Sequence, residues 1–326
     1  MADKKISIII PVYNVGTLIS QCLESLARQC ADEIEVVFVN DGSTDDTEAR
    51  LQRFASESRI ACKILSQKNS GVAAARNTGL SAASGEYLMF LDADDRLERN
   101  AVESVLKIIA ATDADIIGWD WTNDHDGKLR PMHQADYHTP EEALANLMGG
   151  TMKWNLWLFA VKRELLTGNG VCFIPGADMG EDMMFMLKAF ACAGTVARTN
   201  DALYVYNASN PASISNRMSE RRRKEVETNL LAAADFLSHS RYADKCEEWL
   251  PHLKLYIKRP LLIGRSMADY KIWNAWFPEA NQYATANHTL PFRTRLLQWM
   301  AARRLYVGVW LYNVIVYGLL YRLLYR

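Results

Sequence analysis

A chain of 326 residues with 49% hydrophobic side chains can bury a sizeable core, which excludes an intrinsically disordered protein. The formal net charge of -1 hides an asymmetry: residues 254–326 hold 11 Lys and Arg against 2 acidic residues (+9), leaving 26 basic against 36 acidic (-10) in residues 1–253. Such segregation points to a body that does chemistry and a tail that meets something anionic.

In chain order, the first five residues lead into an apolar run too short for a signal peptide, so a cytosolic chain is expected. Residues 6–12 (ISIIIPV) form a continuous β-branched run, as in a strand covered on both faces. A helix is predicted over 17–28, with Leu18, Cys22, Leu23 and Leu26 on one face, then a second strand over 34–39. Residues 45–57 read as a helix, 62–65 as a short strand, 72–83 as a helix, 87–91 as a strand and 98–111 as a helix. A strand at 115–119 closes the series. The alternation predicts an α/β fold with a parallel sheet between helices, and ligands of such sheets lie outside the carboxyl ends of the strands. The second half is less regular. Residues 154–166 read as strand then turn or helix, 182–193 as a helix apolar nearly all round and hence buried, and 203–207 as a strand. Residues 210–213 make a turn, and from 220 onward helical patterns are broken by Pro251, Pro260, Pro278 and Pro291.

Three strand ends carry polar or acidic groups: Pro11-Val12-Tyr13-Asn14, Asn40-Asp41-Gly42-Ser43-Thr44-Asp45 and Asp92-Ala93-Asp94-Asp95. One Asn-Asp-Gly is an ordinary turn, but three such endings on neighbouring parallel strands mark a ligand crevice. Three carboxylates within Asp92–Asp95 are costly to hold together unless a cation is near, and hard oxygen ligands suit Mg2+ or Mn2+. A solvated acidic turn capping the next helix is the other reading. Asn69-Ser70-Gly71 precedes the helix holding Arg76 and Asn77; Gly71 lets another group approach the backbone, and helix-start amides attract anions. Arg76 can then reach a phosphate, orient the acidic cluster, or brace the helix. Gly180-Glu181-Asp182 opens the buried helix. Adjacent carboxylates do not share a helix face, so different jobs are expected, with one facing the cleft as general base. The six cysteines show no metal spacing and are expected as free thiols, and none of the six histidines falls in a motif.

Together PVYN, VNDGSTD, NSGVAAARNTGL, FLDADD, GED and a YxY…SIS stretch, in this order over about residues 5–217, resemble the family 2 glycosyltransferases of bacterial cell-surface polysaccharide biosynthesis. The resemblance implies the GT-A fold, a Rossmann-like, mostly parallel sheet flanked by helices. It implies a catalytic domain at 1–218, with a nucleotide-sugar half at about 1–120 and an acceptor half at about 121–218, then a helical C-terminal region at 219–326. It implies that Pro11, Tyr13, Asn14 and Asp41 hold the base and ribose, Asp41 accepting from uracil, while Asn69, Gly71, Ala75 and Arg76 line the nucleotide. By the same resemblance Asp92, beside Ala93, contacts ribose or metal-bound water and Asp94 binds a divalent metal (Mn2+ or Mg2+) directly. Asp182 is the implied general base with Glu181 helping to place acceptor or base, and Ser213, Ser215 and Arg217 fall on a loop over the diphosphate. Trp154 and Trp157 fit an acceptor-side aromatic wall or, equally, the core.

The implied reaction is an inverting, metal-dependent transfer from a nucleotide sugar, a UDP-sugar by analogy, to a hydroxyl of a glycan acceptor. No Gln-x-x-Arg-Trp motif and no set of long apolar spans is present, which favours one sugar per encounter over polymerisation. A sugar-nucleotide nucleotidyltransferase would want a Gly-rich basic loop where this chain has Asn14-Val15-Gly16-Thr17. Against a catalytically inactive membrane-bound scaffold stand intact Asp92, Asp94 and Asp182.

Residues 290–326 join Arg293, Arg295, Arg303 and Arg304 to LYVGVWLYNVIVYGLLYRLLY. The apolar part, 305–321, has 17 residues, at the lower limit for crossing a bilayer, and includes Asn313. Its aromatic residues and flanking arginines suit a helix lying in the membrane interface; a transmembrane anchor and a soluble packing helix are the alternatives. A continuous apolar stretch fits nucleic acid poorly. Interfacial binding would suit a lipid-linked acceptor and a peripheral enzyme at the cytoplasmic face of the inner membrane.

Overall fold

The computed structural model describes residues 4–209 and 218–316. The chain divides into two compact units, Met1–Ala143 with Lys153–Ser240, and Leu144–Met152 with Arg241–Arg326.

The first unit is built on a nine-stranded sheet. Its strands are β1 (Ile6–Val12), β2 (Ile34–Asn40), β3 (Ala61–Ser66), β4 (Tyr87–Phe90), β5 (Arg96–Leu97), β6 (Ile116–His125), β7 (Lys128–Met132), β8 (Phe159–Lys162) and β9 (Val196–Asn207). The order is β3-β2-β1-β4-β8-β6-β9-β5, with β7 paired to β6. The helices of this unit are α1 (Ser20–Leu26), α2 (Thr47–Glu57), α3 (Val72–Ala82), α4 (Ala101–Thr112), α6 (Arg163–Gly168), α7 (Glu181–Cys192) and α8 (Glu220–Ser238), while α5 (Pro140–Gly149) begins in this unit and ends in the second. All seven residues of β2 are buried, as a β-branched run between two layers requires. Helix α3 is rich in small residues because it packs closely: a Cβ on Gly79 would lie 2.4 Å from Ile9 Cγ2. Glu35 in β2 is also buried; burial opposes its charge, but Ser7, Lys63 and Ser84 hold its carboxyl at about 2.

The parallel reading holds for β3-β2-β1-β4, where Ile6 stands beside both Ile34 and Tyr87. Beyond β4 the sheet departs from it. Strand β8 runs antiparallel to both β4 and β6, so the strand expected to close the series is not next to β4. That strand also runs on to His125 and folds back as the β6–β7 hairpin through Asp126 and Gly127, both at positive φ (51° and 85°). Asp-Gly is the sequence signal for this turn, masked here by the polar strands on either side. The geometry nevertheless delivers the ends of β1, β2 and β4, hence Tyr13, Asp41 and Asp92, to one edge of the sheet.

The second unit is helical, with α9 (Cys246–Ile257), α10 (Met267–Ala275), α11 (Phe292–Ala302) and α12 (Tyr306–Ile315). Its core includes a fully buried lysine: Lys258 Nζ donates to Trp276 O (2.9 Å), Phe277 O (3.3 Å) and Asn281 Oδ1 (2.6 Å), and lies 4.1 Å from the Trp273 ring centroid. Asn313, the polar interruption of the apolar tail, is likewise a packing residue. It donates to Leu262 O at 2.9 Å and to Tyr270 Oη at 3.1 Å. Among the described residues no helix is long and apolar enough to cross a membrane.

Candidate active site

The loops after β1 and β2 are tied together by Asn14, whose Oδ1 accepts from Thr44 N at 2.7 Å and whose N donates to Ser43 Oγ at 3.0 Å. Tyr13 beside it is half exposed, a ring available for stacking. Pro11 is partly buried and Asn69 exposed. Asp41 is more occupied than a uracil acceptor needs to be. Its Oδ1 accepts from Gln67 Nε2 (2.7 Å) and Ser70 N (2.9 Å), its Oδ2 from Gly71 N (2.9 Å), and only 4% of the residue is exposed. It therefore shapes the 67–71 loop. Ala75 is wholly buried and offers no surface to a nucleotide.

Arg76 decides the centre of the site. It is 4% exposed, and burial works against its charge; the carboxylates of Asp182, Glu181 and Asp92 reverse that and raise its pKa. Nη1 donates to Glu181 Oε1 at 2.7 Å and to Asp182 Oδ1 at 2.8 Å, and Nη2 lies 3.4 Å from Asp92 Oδ1. Beneath it the Phe173 ring lies 5.7 Å from Cζ and stacks on Phe185. Of the uses open to Arg76, the structure brings it to the acidic cluster. Glu181 and Asp182, expected to part ways as helix neighbours, instead converge on one nitrogen. They sit in the first turn of α7, and a long side chain from another helix spans the gap between them.

The Asp92–Asp95 turn is not one ligand set. Asp95 is buried and faces β9, with Tyr204 Oη donating to its Oδ2 (2.6 Å) and Asn207 N to its Oδ1 (2.7 Å). Tyr204 Oη also accepts from Asp92 N at 3.2 Å, so one buried tyrosine fixes both ends of the turn. Ala93 between them is buried. Asp92 and Asp94 stay partly exposed. Burial, then the charges of Asp182 and Asp94, push Asp92 up to about 6 against the pull of Arg76. Burial and Asp182 likewise raise Glu181 to about 8. Asp92, Asp94 and Asp182 outnumber the single guanidinium set among the acids, and that fits a cation beside Asp92 and Asp94. Among the described residues no three His, Cys, Asp or Glu form a metal cluster of their own. One or two carboxylates with phosphate oxygens and water is how Mg2+ is commonly held at phosphate sites.

Asp182 Oδ2 also receives Leu156 N at 3.3 Å, which draws residues 154–158 toward the site. Trp157 is 5% exposed and stacks on Tyr204 (centroids 4.4 Å, 12°) and Tyr206 (5.7 Å, 13°), so it packs in the interior. Trp154 is partly exposed. Ser213, Ser215 and Arg217 lie outside the described residues. Sequence reasoning named neither Tyr204 nor Asp178 as site residues. Tyr204 was visible within the YxY pair; Asp178 was visible only as an acid in a Gly-Ala-Asp-Met-Gly loop.

The family model for Glycosyl transferase family 2 matches residues 7–177. The glycosyltransferase EpsJ of Bacillus subtilis is 30% identical over 280 residues, 81% of this chain and 78% of that one. S. aureus TarS 1–349 in complex with UDP-GlcNAc shares the fold with a TM-score of 0.69 at 20% identity, covering 96% of this chain and 91% of that one. The mannosyltransferase PcManGT of Pyrobaculum calidifontis, in complex with GDP-Man and Mn2+, does so with a TM-score of 0.54 at 20% identity, over 95% and 87% of the two chains.

Proposed function

The chain belongs to glycosyl transferase family 2 and is a sugar-transferring enzyme of GT-A fold, and on that premise we propose an inverting transfer from a UDP-sugar to a hydroxyl of a glycan acceptor. The observation that carries the proposal is the convergence of Asp182, Glu181 and Asp92 on Arg76 at the edge where β4 ends. Asp182 takes the proton as the acceptor oxygen bonds to the anomeric carbon, while the bond from that carbon to the diphosphate oxygen breaks on the opposite face. Arg76 keeps Asp182 aimed. Glu181, held high by burial, shares the guanidinium without competing as a second full charge. Asp94 with Asp92 would hold a divalent cation, whose chemistry is to neutralise charge on the departing diphosphate. Tyr13, Asn14 and Asp41 would hold the nucleoside, with Asn69 and Gly71 beside it. Binding of UDP-GlcNAc by TarS and of GDP-Man with Mn2+ by PcManGT supports the donor class and the metal.

Slow hydrolysis of a nucleotide-sugar panel tests this without the acceptor. Turnover of one UDP-sugar is expected with Mn2+ or Mg2+, abolished by chelation and by Asp94→Ala. Metal-independent turnover, or full activity in Asp94→Ala, would remove the metal from the proposal; no turnover of any nucleotide sugar would remove the donor.

The tail supports a second element of the proposal, a peripheral position on an anionic bilayer close to a lipid-linked acceptor. On α12, Val307 (64% exposed), Leu311 (46%) and Ile315 (50%) form an outward apolar row at helical spacing, opposite buried Val309 and Asn313. Phe292 and Trp299 on α11 are also exposed, as are Arg293, Arg303 and Arg304, which lie close to them in the sequence. Cosedimentation with vesicles containing phosphatidylglycerol is expected, and Leu311→Glu with Ile315→Glu should lower the partition coefficient by about tenfold or more. Equal recovery with neutral vesicles, or none with either, would refute it; concentration-dependent dimerisation lost in the same variant would assign the face to a second copy.

A further inference from the structure

Asp178 belongs to none of the motifs, yet its carboxylate occupies the place at the start of α3 where a ligand anion was expected. Its Oδ1 accepts from Ala73 N at 3.0 Å. A Cβ on Gly71 (φ +90°) would lie 2.1 Å from its Oδ2, so a residue without a side chain is required for the two to meet. The same stretch is gripped along its length by α3. Asn77 Nδ2 donates to Phe173 O and Asn77 Oδ1 accepts from Phe173 N, both at 2.9 Å, and Arg76 reaches Glu181 and Asp182. From the opposite side the fully buried Asn229 of α8 donates to Ala177 O and Met179 O, each at 2.9 Å, the carbonyls on either side of Asp178.

We infer that Asp178 is a positioning residue: by pinning residues 173–182 to the first turn of α3, it sets the separation between Arg76 and the Glu181–Asp182 pair. The contacts close a ring. It runs from the Asp178 carboxylate to the Ala73 amide, along α3 to Arg76, across the ion pairs to Asp182, and back along the chain to Asp178. A ring this short has little slack, so a displaced α3 start moves the guanidinium relative to the carboxylates it aims. A carboxylate at the start of α3 also suits the positive end of the helix dipole. The functional consequence rests on the reading of Asp182 as proton acceptor.

Misplacement by about an ångström is worth up to about 100-fold in rate, so Asp178→Ala is expected to lower kcat by about 10- to 100-fold with the donor KM changed less than about threefold. Asp178→Asn keeps an acceptor for the Ala73 amide and should restore most of the rate. Gly71→Ala attacks the same contact from the other side and is read by exchange alone, since the Gly71 amide also holds Asp41 on the donor side; with Asp178→Asn it carries the test if Asp178→Ala does not fold. Amide hydrogen exchange on the full chain gives a readout that needs no substrate: Ala73 and the first turn of α7 should exchange faster in Asp178→Ala and Gly71→Ala than in wild type. Wild-type turnover with kcat within about twofold in Asp178→Ala, or unchanged exchange at the first turn of α7, overturns the inference, as does Asn rescuing no better than Ala. Altered exchange in a protein that turns over no nucleotide sugar instead overturns the catalytic reading while leaving the ring intact.

Discussion

Asp182→Asn is expected to lower kcat by about 10²- to 10⁴-fold, the range for removing a positioned general base. The substitution is close to isosteric: asparagine keeps its one oxygen for Arg76 Nη1, 2.8 Å from the carboxylate, and turns its NH2 toward Leu156 N, which gives up the 3.3 Å contact. Stability should fall by about 1 kcal/mol, the worth of the lost contact, which leaves the protein folded while the proton acceptor is lost, and donor KM should change little. Glu181→Gln is the matched control. Glu181 shares the same nitrogen at 2.7 Å, but burial and the neighbouring Asp182 raise its pKa to about 8, so it carries a proton through most of the neutral range. An uncharged amide there mimics the protonated acid, and a much smaller loss follows. Steady-state rates with a donor and a simple glycan acceptor decide the matter: a dead Glu181→Gln beside an active Asp182→Asn would exchange the two roles.

The second large effect concerns stability. Arg76→Ala strips the shared cation from three carboxylates in a site where the guanidinium itself is 4% exposed, and breaking a buried ion network this way costs about 3–5 kcal/mol. The pH dependence has a definite sign. Asp92 and Glu181 have folded pKa values raised above their ordinary 3.8 and 4.5, to about 6 and about 8. Their contribution is thus fully present below the ordinary carboxylate range and lost as pH rises through 6 and then 8. Without Arg76 both values climb further, so the variant's deficit should widen as pH rises from about 4 to about 9. Arg76→Lys should fall between, since an ammonium keeps the charge but not the fork that spans three partners. Denaturant melts of the three proteins across that pH range measure it; a deficit that narrows with rising pH would contradict the arrangement.

The sequence by itself determined the β-branched strands, expected at 6–12 and 34–39 and found at 6–12 and 34–40, the mostly buried helix, expected at 182–193 and found at 181–192, and the acidic and polar groups at the ends of β1, β2 and β4. These follow from short-range rules, because apolar periodicity and turn chemistry depend on neighbours only a few residues away. The same rules showed the asymmetric charge of the tail and the glycine at position 71. What the sequence left open was who meets whom. Arg76 lies 105 and 106 residues from Glu181 and Asp182, Ala73 lies 105 from Asp178, and Tyr204 lies 109 from Asp95. No periodicity reports contacts at that separation. Only the packing of α3 against the residues leading into α7, and of β9 beside the Asp92–Asp95 turn, decided three things. It made Arg76 an anchor for the acids, split the acidic turn between Tyr204 and the open edge, and brought to Gly71 a carboxylate of the chain itself. The physical reason is that a buried charge is tolerated only beside its partner, and which partner arrives is set by the tertiary fold.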